Sequence, residues 1–204
     1  MSNPKLVLLG RDRRQEAVSV LVPAFLDDPL FEFIMGRKPD AADPCIQDFF
    51  AFSCEVRYNL DWPLLGVEQN GRLVGVAGID EPGHKDWPDS LTQTYASLSK
   101  CIGPQATARL EEYAVKPDQH RPKESHFYLG VIGVHPDSQG KGLSRILMDD
   151  IHARSESHPE STGVALDTTK SANVSFYEHF GYRTIGVDEV GGVTVTTMFR
   201  PNAR

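Results

Sequence analysis

The chain has 204 residues, 40% of them apolar and 24% charged, with a formal net charge of -7, enough for one domain with a filled core. The acidic balance and the lack of any long Lys/Arg run argue against nucleic acid or an anionic membrane as a partner, while mildly favouring a cationic one such as an amine. The three cysteines, Cys45, Cys54 and Cys101, stand at no metal-ligand spacing and are expected to be free thiols; with no apolar N-terminal run longer than Leu6–Leu9, this predicts a cytoplasmic protein.

The first strand is expected at about Lys5–Leu9, followed by a helix over Arg14–Leu26 whose Ala17, Val18, Leu21 and Phe25 share one face. Asp27-Asp28-Pro29 breaks the chain, and Pro29 suits the first turn of a short helix through Phe33. Pro44 opens another helix carrying Phe49, Phe50, Phe52 and Val56. Leu64–Val67 and Leu73–Ile79, joined by Asn70-Gly71, read as a β-hairpin, because both central positions of such a turn need positive φ. Residues 82–123 are polar, proline-punctuated and partly helical (Leu91–Leu98, Ala106–Ala114). Too poor in apolar residues for a core of their own, they read as an excursion from the sheet within one domain spanning 1–204.

The C-terminal half begins with an apolar strand, His126–Val134. A helix expected from Gly140 to about Ser155 follows, with Leu143, Ile146, Leu147 and Ile151 at i, i+3, i+4 and i+8. Val164–Leu166 is a short buried strand, Ala172–Phe180 a short helix ended by Gly181, and Tyr182–Val187 and Val193–Phe199 two last strands. Strand, helix, strand, helix with short connections implies a parallel βαβ unit inside a mixed α/β sheet.

The turn from His135 to Ser144 leaves a buried strand and enters a helix. A helix start has about four unpaired N–H groups and roughly half a positive charge. Gly140 and Gly142 let an anion approach those groups unobstructed. A Walker A reading fails because His135 and Gly142 occupy its defining positions, and a dinucleotide fingerprint fails at Arg145. A plain strand-to-helix turn with convenient glycines is the competing account of the loop alone.

With Val134 and Pro136 ending the strand and Gln139, Gly142 and Ser144 opening the helix, this segment resembles the V-x-P and Q/R-x-x-G-x-G/A elements of the GCN5-related N-acetyltransferase (GNAT) superfamily. Ser144 departs from the usual Gly or Ala but stays small. Asn173 to Tyr182 is similar to the family's N-x-x-x-Y-x-x-x-G-F/Y block, and the stretch from His126 onward looks most like the puromycin N-acetyltransferase group. The resemblance implies a splayed central sheet flanked by helices, and acetyl-CoA as acetyl donor with coenzyme A as product. Ile132, Val134, Gln139, Gly140, Lys141, Gly142, Leu143, Ser144, Asn173 and Tyr177 are the implied cofactor contacts. It also implies a small-molecule amine as acceptor, attacking the thioester directly, with no metal. A protein or peptide acceptor and a non-catalytic coenzyme A-binding module are the alternatives, and monomer and homodimer are both compatible.

Tyr177, beside two phenylalanines in a short helix, reads by itself as a core residue; the resemblance makes it the general acid at the leaving thiolate. Asn173, one helical turn earlier, shares its face. The strand 126–134 has no acid where many family members carry a Glu. Glu32, Asp80, Glu81 and His126 are the candidates for a general base, which stays unassigned. The histidines show no zinc spacing, and Gly-x-Ser-x-Gly is absent.

Overall fold

The computed structural model describes residues 3–203; the outermost residues of the 1–204 span lie outside them. Within the described residues seven strands form one sheet in the order β1-β2-β3-β4-β5-β7-β6. They are β1 (Lys5–Leu8), β2 (Leu64–Gln69), β3 (Arg72–Asp80), β4 (Phe127–Val134), β5 (Gly163–Thr168), β6 (Arg183–Val190) and β7 (Val193–Pro201). Only β4 and β5 pair in parallel; the remaining neighbours are antiparallel. The mixed α/β sheet expected from the sequence is the observed one.

Among the described residues seven helices cover the two faces: α1 (Arg14–Phe25), α2 (Pro29–Met35), α3 (Pro44–Asn59), α4 (Asp89–Ile102), α5 (Pro104–Val115), α6 (Leu143–Ser157) and α7 (Ser171–Glu178). Both α2 and α3 begin with Asp-Pro. The aspartate side chain accepts from the backbone N–H two residues on (Leu30 to Asp28, 3.0 Å; Cys45 to Asp43, 2.9 Å), while proline fills a helix position whose N–H has no partner anyway. The apolar stripe of α6 (Leu143, Leu147, Met148, Ile151) packs on one face of the sheet with Phe127, Leu129 and Leu166. On the other face α1, α2 and α3 bury Ala17, Leu21, Phe31 and Phe50 against Leu64, Val76 and Val131. The hairpin turn has Asn70 at φ 53° and Gly71 at φ 74°, as its sequence requires.

The excursion folds as α4 and α5. Helix α4 lies along α3, and α5 reaches α2, where Arg109 Nε donates to the Ile34 carbonyl at 2.8 Å. Two expectations are corrected. Cys45 and Cys101 are disulfide-bonded, tying the start of α3 to the end of α4; Cys54 alone is a free, buried thiol. The pairing joins residues 56 positions apart, which no spacing rule reveals, and it removes the free-thiol argument for a reducing compartment. Helix α6 starts at Leu143 rather than Gly140, because Gly140 and Gly142 both have φ 74°, outside the helical region. Among the described residues no helix is long and apolar enough to cross a membrane.

Candidate active site

The site begins where β4 parts from β5. Strand β4 pairs with β3 as far as Val134, but with β5 only through three residues, ending at Leu129–Leu166. The parting coincides with a β-bulge. Val131 opposes Gly78 and Leu129 opposes Ile79, leaving Gly130 as the extra residue. A side chain at Gly130 would collide with the Arg57 guanidinium, since a Cβ there would lie 2.0 Å from Nη2. Beyond the bulge, Val131 and Gly133 face α1 and α3, while Ile132 and Val134 face α6. The backbone edge of residues 130–134 on the β5 side is thus left without a neighbouring strand.

The turn after β4 is tied down by its own groups. His135 N–H donates to the Val74 carbonyl at 2.9 Å, and Gln139 Nε2 donates back to the Val134 carbonyl at 2.9 Å. Residues Pro136–Ser138 make one 3-10 turn, and the chain then passes through two left-handed glycines into α6. A Cβ added at Gly140 or Gly142 would meet nothing within 4 Å, so open space fronts the start of α6, which no side chain caps. Unpaired N–H groups, the positive end of the helix and bare glycines together fit a diphosphate.

A cleft of about 310 Å³ lies over this turn. Nine of the ten residues expected to contact the cofactor line it: Ile132, Val134, Gln139, Gly140, Gly142, Leu143, Ser144, Asn173 and Tyr177. Lys141 does not; its Nζ turns back to the Asp137 carbonyl at 2.8 Å. Serine at 144 leaves the cleft open, as a small side chain should.

Beside the cleft is a second cavity of about 570 Å³, walled by residues of α1 to α5, β3, β4, β5 and α7. The two share five residues: Phe25, Asp28, Ile132, Asn173 and Tyr177. Tyr177 is packed like a core residue and also lines the cleft. Its ring packs on Phe176 and Tyr182, with centroids 5.2 and 5.7 Å away, yet the same side chain borders both spaces. Burial, and then the Asp28 charge, push its hydroxyl well above the usual tyrosine range, so it is a proton donor in hydrogen bonds at all ordinary pH. Asn173 is oriented by a hydrogen bond from Nδ2 to Thr168 Oγ1 at 3.3 Å.

Of the four acids and bases proposed from the sequence, only Asp80 lines the second cavity, and it is engaged by Arg57 at 2.5 Å. Burial raises its carboxyl pKa, opposed by the charges of Arg57 and Arg121. Glu32 and Glu81 line neither space, and His126 holds the Glu124 carbonyl through Nδ1 at 2.7 Å, also outside both. The carboxylate at the junction is Asp28. Its Oδ1 accepts from Leu30 N–H and from Thr169 Oγ1 at 2.7 Å, and the residue is 9% exposed. Sequence reasoning saw Asp28 only as part of a helix break; its capping role was legible from Asp-Pro, its place beside Tyr177 was not. Deeper in the cavity, Asp167 accepts from Tyr128 OH at 2.8 Å and pairs with Arg121 at 2.7 Å, whose guanidinium lies 3.6 Å over the Tyr128 ring. These residues carried no sequence signal, since an Arg, an Asp and a Tyr spread over three elements form no motif.

Residues 115–199 match the acetyltransferase (GNAT) domain. Among solved structures, the chain is similar to one described as histone acetyltransferase HPA2 and related acetyltransferase from Corynebacterium glutamicum, with 21% identity, a TM-score of 0.72, and 100% and 98% of the two chains covered. It is similar to arylalkylamine N-acetyltransferase 2 from Aedes aegypti, with 15% identity, a TM-score of 0.71, and 99% and 100% covered. A polyamine N-acetyltransferase of Drosophila melanogaster gives 16% identity, a TM-score of 0.67, and 98% and 100% covered. Residues 115–199 are thus similar to GNAT acetyltransferase domains, and the fold over the length of the chain is the one these solved acetyltransferase structures share.

Proposed function

We propose that the protein is an N-acetyltransferase that moves an acetyl group from acetyl-CoA to the amine of a small molecule. The observation that carries this reading is the meeting of two cavities at Asp28, Asn173 and Tyr177. One has bare glycines and an uncapped helix start suited to a diphosphate; the other is lined by side chains of α1 to α5, β3 to β5 and α7. Its volume, about 570 Å³, falls in the range of small-molecule sites, roughly 300–1,000 Å³. The small-amine acceptors named for the Aedes and Drosophila structures agree with it. The likeness to the puromycin N-acetyltransferase group rests on the motifs of residues 126–204 alone.

Acetyl-CoA supplies an acyl carbon already activated as a thioester, so no enzyme nucleophile is needed. The chain's residues have two proton problems to solve. An alkylammonium of pKa about 10.4 costs about 4–5 kcal/mol to deprotonate at pH 7. Asp28 stands where that ammonium must pass, attracts it, and takes its proton directly or through water. The amine nitrogen then bonds to the acyl carbon as the carbon–sulfur bond breaks. At the leaving sulfur Tyr177 presents its hydroxyl. Ordinary tyrosine is about 2 kcal/mol too weak an acid to protonate a thiolate fully, and the upward shift at Tyr177 widens that gap. Its role is therefore a strong hydrogen bond to sulfur; the thiolate takes up the proton that the nitrogen sheds as the amide forms, and the proton held by Asp28 passes to solvent. Asn173 orients the thioester arm, and the open edge of residues 130–134 pairs with its amides.

The test is amine-dependent release of free thiol from acetyl-CoA, with the N-acetyl product identified by mass. Release that rises with amine concentration is expected from the folded protein across a panel of primary amines. No release above the amine-free rate with any of them would overturn the reading.

A further inference from the structure

The larger cavity differs sharply from its surroundings in composition. Ten of its thirty lining residues are aromatic, against 9% of the chain. Several of these belong to the core, but Phe52 of α3, Trp87 in the segment before α4, and Tyr95 of α4 do not. All three line this cavity and none lines the cofactor cleft. Trp87 is 46% exposed, in a stretch otherwise made of Gly, His, Lys, Asp and Pro. A large indole left half in water adds nothing to the core.

The three rings touch one another, with centroids 5.7 Å apart for Phe52–Trp87, 5.4 Å for Phe52–Tyr95 and 5.8 Å for Trp87–Tyr95. These are direct aromatic contact distances, in tilted and edge-on geometry. An ammonium group cannot enter between rings already in contact, so the cluster is not a cage for a cation. The nearby carboxylate of Glu111 accepts from Tyr95 OH at 3.2 Å, which fixes the ring. What the cluster offers to the cavity is a rigid aromatic platform.

Resting on the acetyltransferase reading above, we propose that the acceptor is a primary amine joined by a short chain to an aromatic ring. The ring seats on the Phe52–Trp87–Tyr95 platform while the amine reaches Asp28. Phe52, Trp87 and Tyr95 then decide which amines are used, and they take no part in bond making.

Three probes separate the possibilities: 2-phenylethylamine, its saturated counterpart 2-cyclohexylethylamine, and putrescine as a dication. The expected result is a kcat/KM for 2-phenylethylamine about 3- to 10-fold above that of the cyclohexyl compound, the range that aromatic pairing supplies beyond area burial, with putrescine the poorest. Trp87→Leu should bring the first ratio close to one, and Trp87→Phe should keep most of it. Equal use of the ring and its saturated analogue, preference for putrescine, or an unchanged ratio in Trp87→Leu would overturn the inference. If none of the three is acetylated, the fault lies with the transfer reading. Calorimetric binding of the same amines to the coenzyme A-saturated protein then decides this one, by the same ratio read in Kd, and failure of 2-phenylethylamine to bind would overturn it as well.

Discussion

Asp28 combines two tasks in one carboxylate. One oxygen caps α2 and receives the Thr169 hydroxyl, which locks the rotamer, and the side chain borders both cavities. The two tasks separate by mutation. Asp28→Asn keeps a capping oxygen but loses the charge and the basicity, so turnover should fall by roughly 10²-fold or more, the scale of general base catalysis. Thermal stability should change little. Asp28→Ala should lose about 1 kcal/mol of capping in addition. Full turnover in Asp28→Asn, measured by thiol release, would remove Asp28 from the chemistry. Tyr177 makes a different prediction. Because burial and Asp28 both hold its pKa above the ordinary value near 10, it does not ionise as pH rises through the working range. The acceptor amine, in contrast, becomes the free base. The rate at subsaturating amine should therefore climb with pH and show no descending limb below pH 10 that Tyr177→Phe abolishes. A descending limb present in the parent and absent from Tyr177→Phe would mean that the hydroxyl titrates there and that its environment has been misread.

Among the elements, the β4–turn–α6 unit governs cofactor binding. Gly142 has φ 74° and nothing within 4 Å of where a Cβ would stand. Gly142→Glu would strain the backbone by about 1–2 kcal/mol and put a negative charge at the start of α6. Affinity for coenzyme A, measured by calorimetry, should drop at least tenfold while the fold persists; unchanged affinity would place the diphosphate elsewhere. This unit was also the most legible part of the sequence, because its requirements are local. Small residues at Gly140, Gly142 and Ser144 and an apolar i, i+3, i+4 stripe need no knowledge of distant contacts. The same holds for the hairpin at Asn70-Gly71 and the stop at Gly181. Where α6 starts was missed by three residues, since glycine can either join a helix or stand left-handed before it, and only the backbone decides. The bulge at Gly130 was hidden for a similar reason. The Arg57 side chain crossing from α3 leaves no room for a side chain at the bulged position, and nothing in the neighbouring sequence records that crossing.

At the scale of the whole molecule, the acceptor side was not legible because it is assembled from distant pieces. Thr169 and Asp28 meet across 141 positions of sequence, and the disulfide joins α3 to α4 across 56. The base candidates offered by the sequence, Glu32, Asp80, Glu81 and His126, stand beside the ends of predicted elements; the acid at the junction is brought there by α2, which is held against α5 by Arg109 and against the β6–β7 turn by Phe33 at Gly191. The account as a whole depends on the cofactor arm and the acceptor reaching one another at that junction. A conjugate of coenzyme A joined through an S-acetyl bridge to the nitrogen of hexylamine fills both spaces with one molecule and tests this directly. Because the second contact becomes intramolecular, its Kd should be at least roughly tenfold below that of coenzyme A. A conjugate bound no more tightly than coenzyme A itself would contradict the meeting of the two cavities.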